Sequence, residues 1–449
     1  MGLVLLCAGL ARSQTPQYQL AYRLDGNVVG GRFGWSMDTI SDVNGDGLED
    51  LVVGASYASS AYLYAQQSTG ATLLMRIDST SIPNYLGSAV AGIGDVTGDG
   101  VPDFVCSDNI TQYALWCDGA DRTIGGHYTD HPGFIQKVRG INTQDYAHVM
   151  EHLGDGGDVL VATGPSVGGL GTMAKWYTTN SGTIVEKLNI QAYSFTGGSS
   201  IRNVGDVVGN DGIDDFLLSS SENPFDHRGR VSVISGACTA TGTVTVSQIE
   251  SLHFDGPSSN TDLGMQSTVG QNPLALAGDI NGDGIADFAI GAPLPVSLPE
   301  AHSRGQVLFY SGVDGALLSV LTKPSSIEGD FGAMVENIGD ITGDGHAEIA
   351  IGSRSSGSSG IVLLYSPCTG EYVGALCGDS NGDLFGRSIL SLGDLNGDGL
   401  GDLAISAPFA DFAGANSGSV YVYMSVPEPA TMSLLAVGLG AVLVRRRKR

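Results

Sequence analysis

The sequence predicts an all-β fold: a seven-bladed β-propeller whose N-terminal strand completes the last blade. Three observations lead there. A short loop rich in Asp and Gly recurs down the chain in seven copies, their first acids 51–73 residues apart. Between the loops stand runs of about five β-branched and aromatic residues bounded by Gly, and no segment holds a sustained helical period. The two ends are complementary, because the chain opens with a fourth strand that has no first three and closes with a repeat that lacks its fourth.

Taken in order, each repeat announces four strands. An aromatic residue or Leu followed by Gly stands about nine residues ahead of most loops, as in Phe33-Gly34, Leu86-Gly87, Phe331-Gly332 and Phe385-Gly386. Leu263-Gly264 lies further upstream, across a small insertion. After the loop comes an apolar run ending near Gly-Ala (LVVGA, FAIGAP, IAIGS, LAISAP), then an alternating strand after Gly (GQVLFYSG, GIVLLYS, GSVYVYM). A short outer strand follows, such as ATLLMRI at 71–77 or ALLSVL at 316–321. Four-stranded units of about 50–60 residues repeated seven times fit a propeller, whereas a parallel β-helix has shorter and more uniform repeats. The opening segment YQLAYRLDGNVVGGRFG at 18–34 parallels ALLSVLTKPSSIEGDFG at 316–332, so it supplies the strand missing after VYVYM. Closing the ring protects edge strands that an open array would expose.

Composition narrows the function. The 449 residues include 67 Gly and carry a net charge of −26, which excludes nucleic acid as a partner because phosphate binding needs a basic surface. The acids are concentrated in the loops. The first loop, DVNGDGLEDLVVGA, begins like an EF-hand, with alternating oxygen side chains and Gly at the sixth position. Its twelfth position is Val53, and the other intact loops have Cys106, Ile290, Ile351 and Ile405 there, so an EF-hand is excluded. Ligands at positions 1, 3, 5, 7 and 9 remain, the seventh through its backbone carbonyl. They are Asp42, Asn44, Asp46, Leu48 and Asp50; Asp95, Thr97, Asp99, Val101 and Asp103; Asp279, Asn281, Asp283, Ile285 and Asp287; Asp340, Thr342, Asp344, His346 and Glu348; and Asp394, Asn396, Asp398, Leu400 and Asp402. The fourth loop has an extra residue and offers Asp206, Asn210, Asp211 and Asp215, whereas the third, between Asp155 and Asp158, is too short to encircle an ion. Five protein oxygens plus water suit Ca²⁺ better than Mg²⁺. The expectation is five or six structural calcium sites.

The Phe-Gly pair, the NGDG loop and the Gly-Ala-Pro ending, recurring in order, resemble FG-GAP repeats, which build the propeller at the N-terminus of integrin α subunits. The resemblance covers residues 17–425 and implies a propeller with an adhesion or binding role. Neither an inserted metal-dependent adhesion domain nor integrin leg domains are in sight.

The ends read as sorting segments. Residues 1–13 (MGLVLLCAGLARS) resemble a signal peptide without a basic start, the alternative being a buried first strand. Residues 426–449 run from Val-Pro-Glu-Pro through an apolar stretch to Arg445-Arg446-Arg447-Lys448-Arg449. This tail resembles the PEP-CTERM sorting signals of exopolysaccharide-producing bacteria and implies recognition by an exosortase-type enzyme; a plain membrane anchor is the alternative. The chain is therefore expected at the cell surface or outside it, transiently held in the membrane by the tail. Cys106 with Cys117, and Cys368 with Cys377, are spaced as possible cross-strand disulfides.

Enzyme signals are weak. His148, Glu151 and His152 match H-x-x-E-H, which needs a helix, but their surroundings align with a propeller strand. His127 and His131 lack an evident third ligand, and Asn109-Ile110-Thr111 is a sequon read as incidental. The leading expectation is a non-catalytic, calcium-stabilised binding module for extracellular polysaccharide or a surface protein. The rival is a secreted polysaccharide lyase or hydrolase on the same scaffold. The irregular stretches 107–145, 222–230, 255–275 and 294–304 are the expected contact regions.

Overall fold

The computed structural model describes residues 18–426, apart from 80–84, 109–112, 140–146, 154–157, 164–169, 181–182, 194–199, 221–227, 258–260, 262, 266–270, 294–304 and 355–358. Seven antiparallel meanders form seven sheets. Blade 1 contains Phe33–Ile40, Asp50–Ala55, Ser60–Gln67 and Gly70–Asp78. Blade 2 contains Leu86–Gly92, Phe104–Asp108, Tyr113–Cys117 and Phe134–Arg139, and blade 3 contains Ala147–Leu153, Asp158–Thr163, Leu170–Asn180 and Thr183–Tyr193. Blade 4 is Ile201–Gly205, Asp215–Ser220, Arg230–Ile234 and Glu250–Asp255; blade 5 is Leu274–Gly278, Asp287–Ala292, Gln306–Tyr310 and Leu317–Thr322. Blade 6 is Met334–Asn337, Ile349–Ser353, Ile361–Tyr365 and Tyr372–Cys377. Blade 7 takes Ile389–Ser391, Leu403–Ala407 and Ser419–Met424 from the end of the chain and Gln19–Asp25 from its beginning. The pairing runs from Gln19 opposite Met424 to Asp25 opposite Ser419, as the complementary ends require.

The ring is closed. The first strand of each blade touches that of the next, and blade 7 touches blade 1. Hydrophobic clusters fill the spaces between successive blades. The recurrent motif is the inter-blade joint. Phe331 is buried and meets Tyr365 of its own third strand edge-to-face. Gly332 has φ +87°, and a Cβ there would lie 2.5 Å from the Gln306 carbonyl oxygen on the third strand of the preceding blade. Gly291, in the Gly-Ala-Pro stretch of blade 5, would drive a Cβ to 1.8 Å from the Gly332 oxygen. Glycine at both places lets one blade seat its backbone on the next.

Two blades have a fifth strand that the repeat pattern does not announce. Ile124–His127, from the connection before the last strand of blade 2, pairs in parallel with the outer strand of blade 1. Gly242–Thr245 of blade 4 does the same for blade 3. Part of the stretch 107–145 is therefore an internal strap rather than a free contact region. His131 anchors that strap: it is buried, with Nδ1 2.9 Å from Asp121 and Nε2 3.2 Å from the Arg76 carbonyl oxygen.

The cysteine expectations are corrected. All five described cysteines are free thiols. Cys377 pairs with Ile361 at one end of its hairpin, whereas Cys368 lies in the turn at the other end, so that pair is out of reach. Cys106 faces Leu115 and Cys117 faces Phe104, so the two thiols are diagonal neighbours across the strands, in contact but not bonded. The H-x-x-E-H residues lie on the strand Ala147–Leu153, not on a helix. Among the described residues no helix is long and apolar enough to cross a membrane, and the segments 1–13 and 427–449 lie outside them.

Candidate metal centres

Each of the six described loops is the hairpin between the first and second strands of its blade. The first strands end side by side: a Cβ on Gly92 would lie 2.1 Å from the Thr39 carbonyl oxygen. The hairpins are thus gathered on one end of the ring. In the first, Asp42 Oδ1 accepts from the amides of Asn44, Gly45 and Asp46, and Oδ2 from Gly47 at 2.6 Å. Asp46 Oδ1 accepts from the Leu48 amide at 3.0 Å. Gly45 and Gly47 have φ +82° and +87°, which lets the chain turn twice within the loop. The loops beginning at Asp95, Asp279, Asp340 and Asp394 repeat this arrangement.

Position nine holds a surprise for a reading based on ligands alone. Asp50 is fully buried; its Oδ2 accepts from the Val43 amide and its Oδ1 from the Gln66 amide on the third strand, both at 2.9 Å. Asp103 joins Val96 and Thr97 to Gly119, and Asp215 joins Val207 and Val208 to Gly236. Asp287 joins Ile280 to Gly312, and Asp402 joins Leu395 to Ser425. Glu348 accepts from Ile341 and from the Thr342 hydroxyl. The ninth acid is therefore a brace that ties the hairpin to the blade. No spacing rule on one segment reveals this, because the second anchor is 16 or more residues away, on the third strand or just past it.

In these hairpins the carboxylates are turned onto backbone amides, and among the described residues no three acidic, histidine or cysteine side chains gather closely enough to hold an ion. The donor set nevertheless fits a hard divalent cation. Each of the six hairpins carries three carboxylates, at positions 1, 5 and 9 in the five intact ones and at Asp206, Asp211 and Asp215 in the fourth, and among the described residues no Lys or Arg forms an ion pair with any of them. The fourth hairpin adds a sharper sign. Asp206 Oδ2 accepts from Gly212, but its Oδ1 is buried without a hydrogen-bond partner. Asn210, with φ +50°, takes the place of the left-handed glycine just before Asp211. In the third repeat, residues 154–157 lie outside the described residues; Asp158 accepts from the Trp176 indole at 2.8 Å and lies 4.0 Å from Lys187 Nζ.

Burial, opposed by the backbone amides and reinforced by Asp46 and Asp42, pushes the Asp50 carboxyl up to about 6. Burial also raises Asp103 to about 6 and, with Asp344 and Asp340, Glu348 to about 7. In metal-free protein these groups hold protons more tightly than the unfolded chain does, so metal-free stability falls as pH rises from about 4 to about 7. A cation competes for the deprotonated form. The melting-temperature increment from added Ca²⁺ is thus expected to grow across that pH range; thermal melts with and without Ca²⁺ at each pH measure it.

The two acid roles separate by mutation. Asp50→Ala strands two amide donors and is expected to cost roughly 2–4 kcal/mol even in excess chelator. Asp46→Asn keeps the acceptor for Leu48 and is expected to leave the chelated melt unchanged while lowering the calcium increment. Denaturant unfolding in both conditions distinguishes them.

At the opposite end of the ring lies a group of residues that sequence reading missed. Arg32, Trp35, Tyr57, Tyr85, Arg387 and Phe409 come from five separate segments and converge beside the joint of blades 7, 1 and 2. Nothing in any one segment signals it. Within the bore, Arg202 of blade 4 pairs with the buried Glu336 of blade 6.

Comparison with known proteins gives the class. The FG-GAP repeat model matches residues 274–310 and 385–423, and the FG-GAP-like repeat model matches 42–106. Fold, hairpins and matches together define a seven-bladed propeller built of FG-GAP repeats. This chain joins that propeller to a PEP-CTERM protein-sorting motif, matched at 425–448, which implies processing by an exosortase and points to an exported, surface-associated protein. Integrin alpha-4 of Xenopus laevis is 32% identical over 149 residues, 30% of this chain and 14% of that protein. Integrin alpha-PS5 of Drosophila melanogaster is 26% identical over 163 residues, covering 34% and 16%, and integrin alpha-V of Gallus gallus 31% over 157 residues, covering 32% and 14%. The matched stretch is thus about one seventh of each relative's length.

Proposed function

We propose that this protein is a non-catalytic, calcium-stabilised binding module displayed at the cell surface or in the surrounding matrix, with extracellular polysaccharide as its partner. The observation that carries the reading is the division of the ring into two ends. One end holds six acidic hairpins that no described Lys or Arg pairs with, and the other carries the exposed aromatic side chains Tyr57 and Phe412, with Val28 and Val29 beside them. The ligands proposed for Ca²⁺ are the oxygens at positions 1, 3, 5, 7 and 9 of each intact hairpin, with Asp206, Asp211 and Asp215 in the fourth. The ion supplies two positive charges to a cluster that otherwise repels itself. The likeness to integrin alpha chains supports adhesion as the broader role. The tail holds the chain in the membrane until the exosortase acts.

The rival lyase or hydrolase needs paired acids or a His-Tyr set in a deep polar site. Among the described residues the buried Glu336 of the bore is paired with Arg202, which supports binding. The test is a glycan array probed with the full chain in calcium and in chelator, with reducing-end release assayed in parallel. Calcium-dependent retention without release is the expected result. Progressive release of reducing ends would establish the enzyme instead.

A further inference from the structure

The arginine and aromatic cluster opposite the hairpins has a chemistry of its own. The Arg32 guanidinium carbon lies 3.4 Å from the centre of the Tyr57 ring, 4.4 Å from Phe409 and 5.3 Å from Trp35. Among the described residues its side chain makes no hydrogen bond and no ion pair. Its backbone is left-handed, φ +54°, a conformation that costs a non-glycine residue energy and is held here by the Arg32 amide bonding the Asn416 carbonyl at 3.1 Å. Arg387, fully buried, donates from Nε to the Trp35 carbonyl at 3.1 Å and lies 3.6 Å over the Trp35 ring, which fixes that ring in turn. A cation confined among rings has already lost its rotamer freedom, and its in-plane N–H donors match a carboxylate.

We infer that this cluster is the subsite for a uronic-acid residue within an otherwise neutral polysaccharide, with Arg32 binding the carboxylate and Tyr57 and its neighbours packing the sugar rings. The inference deepens the binding-module reading and rests on it. A single acidic sugar is favoured over a polyanion because the chain carries −26 overall and Asp383 and Asp411 stand on the adjoining blade 7 turns. Sugar is favoured over protein because six residues are far fewer than the roughly 20–30 a side of a standard protein interface.

The test uses the full chain and three probes: an oligosaccharide with one glucuronate among neutral sugars, the same oligosaccharide with its carboxyl reduced to the alcohol, and an acidic peptide. The glucuronate probe is expected to bind, and carboxyl reduction is expected to weaken it about tenfold or more, as loss of a charge-assisted pair should. Arg32→Ala is expected to match that loss, and Arg32→Lys to recover part of it. The comparison of the first two probes needs no variant, so it stands even where a substitution disturbs folding. Equal binding of the reduced probe, unchanged binding by a folded Arg32→Ala, preference for the peptide, or no binding of the glucuronate probe overturns the subsite. Retention of neutral glycans by the folded variant would leave the binding module intact while removing this site.

Discussion

Deleting residues 18–25 is expected to open the ring and abolish cooperative folding. The deleted strand is the outer edge of blade 7 and pairs along the length of Ser419–Met424. Tyr18, Tyr22 and Leu24 pack against the clusters on both sides of that blade. Three such side chains, each partly buried, contribute roughly 3–6 kcal/mol, and six ladder positions add about 0.5–1.5 kcal/mol per hydrogen bond. The sum reaches the roughly 5–15 kcal/mol that holds a domain folded. It also uncovers an edge strand of alternating Val and Tyr (SVYVYM) that invites aggregation. Size-exclusion chromatography and circular dichroism read the result. A second chain, with the same eight residues moved through a short turn to follow Val426, is expected to restore the monomer and its melt. A truncated chain that stays monomeric with an unchanged melt would overturn the account of closure.

Removing calcium is expected to lower the melting temperature by about 10 °C. Extracellular calcium modules bind at about 10⁻⁴–10⁻³ M, and at tenfold excess each site contributes about 1.4 kcal/mol. Six sites together contribute roughly 8 kcal/mol. A propeller of about 400 residues unfolds with an entropy near 0.85 kcal/mol/K, which converts that loss to about 10 °C. Calorimetry in excess EDTA, then after Ca²⁺ is returned, is the measurement. The effect should shrink toward pH 4, where Asp50, Asp103 and Glu348 are protonated and the cation has lost its ligands. An identical melt in EDTA and in Ca²⁺ at neutral pH contradicts a structural ion.

The blade count, the strand order within a blade, the N-terminal closure and the position of every intact hairpin were legible in the sequence. These features are local and repeated: a short apolar or alternating run in each strand, a glycine where the backbone must turn left-handed, an acid in each hairpin. The uncovered fourth strand at the start of the chain needed only comparison with the other repeats. Other features depended on which distant segments meet. The straps at Ile124–His127 and Gly242–Thr245 are short, carry no repeat signature and become strands only because an outer edge lies beside them. The ninth acid is spaced like a ligand, and its second role as a brace appears only when burial and the Val43 and Gln66 amides are seen to hold it. Cys368 and Cys377 are near in sequence but at opposite ends of a hairpin.

The cluster around Arg32 shows the same division most plainly. Its members are scattered from residue 32 to residue 409, and only closure of the ring brings the first blade against the last. Local chemistry along the chain determined the repeating unit and its seven copies, because turn geometry and side-chain alternation act over a few residues. Which acids brace, which edges are covered and where arginine meets aromatic rings were decided by tertiary packing, because those contacts depend on pairs of blades that sequence spacing does not relate.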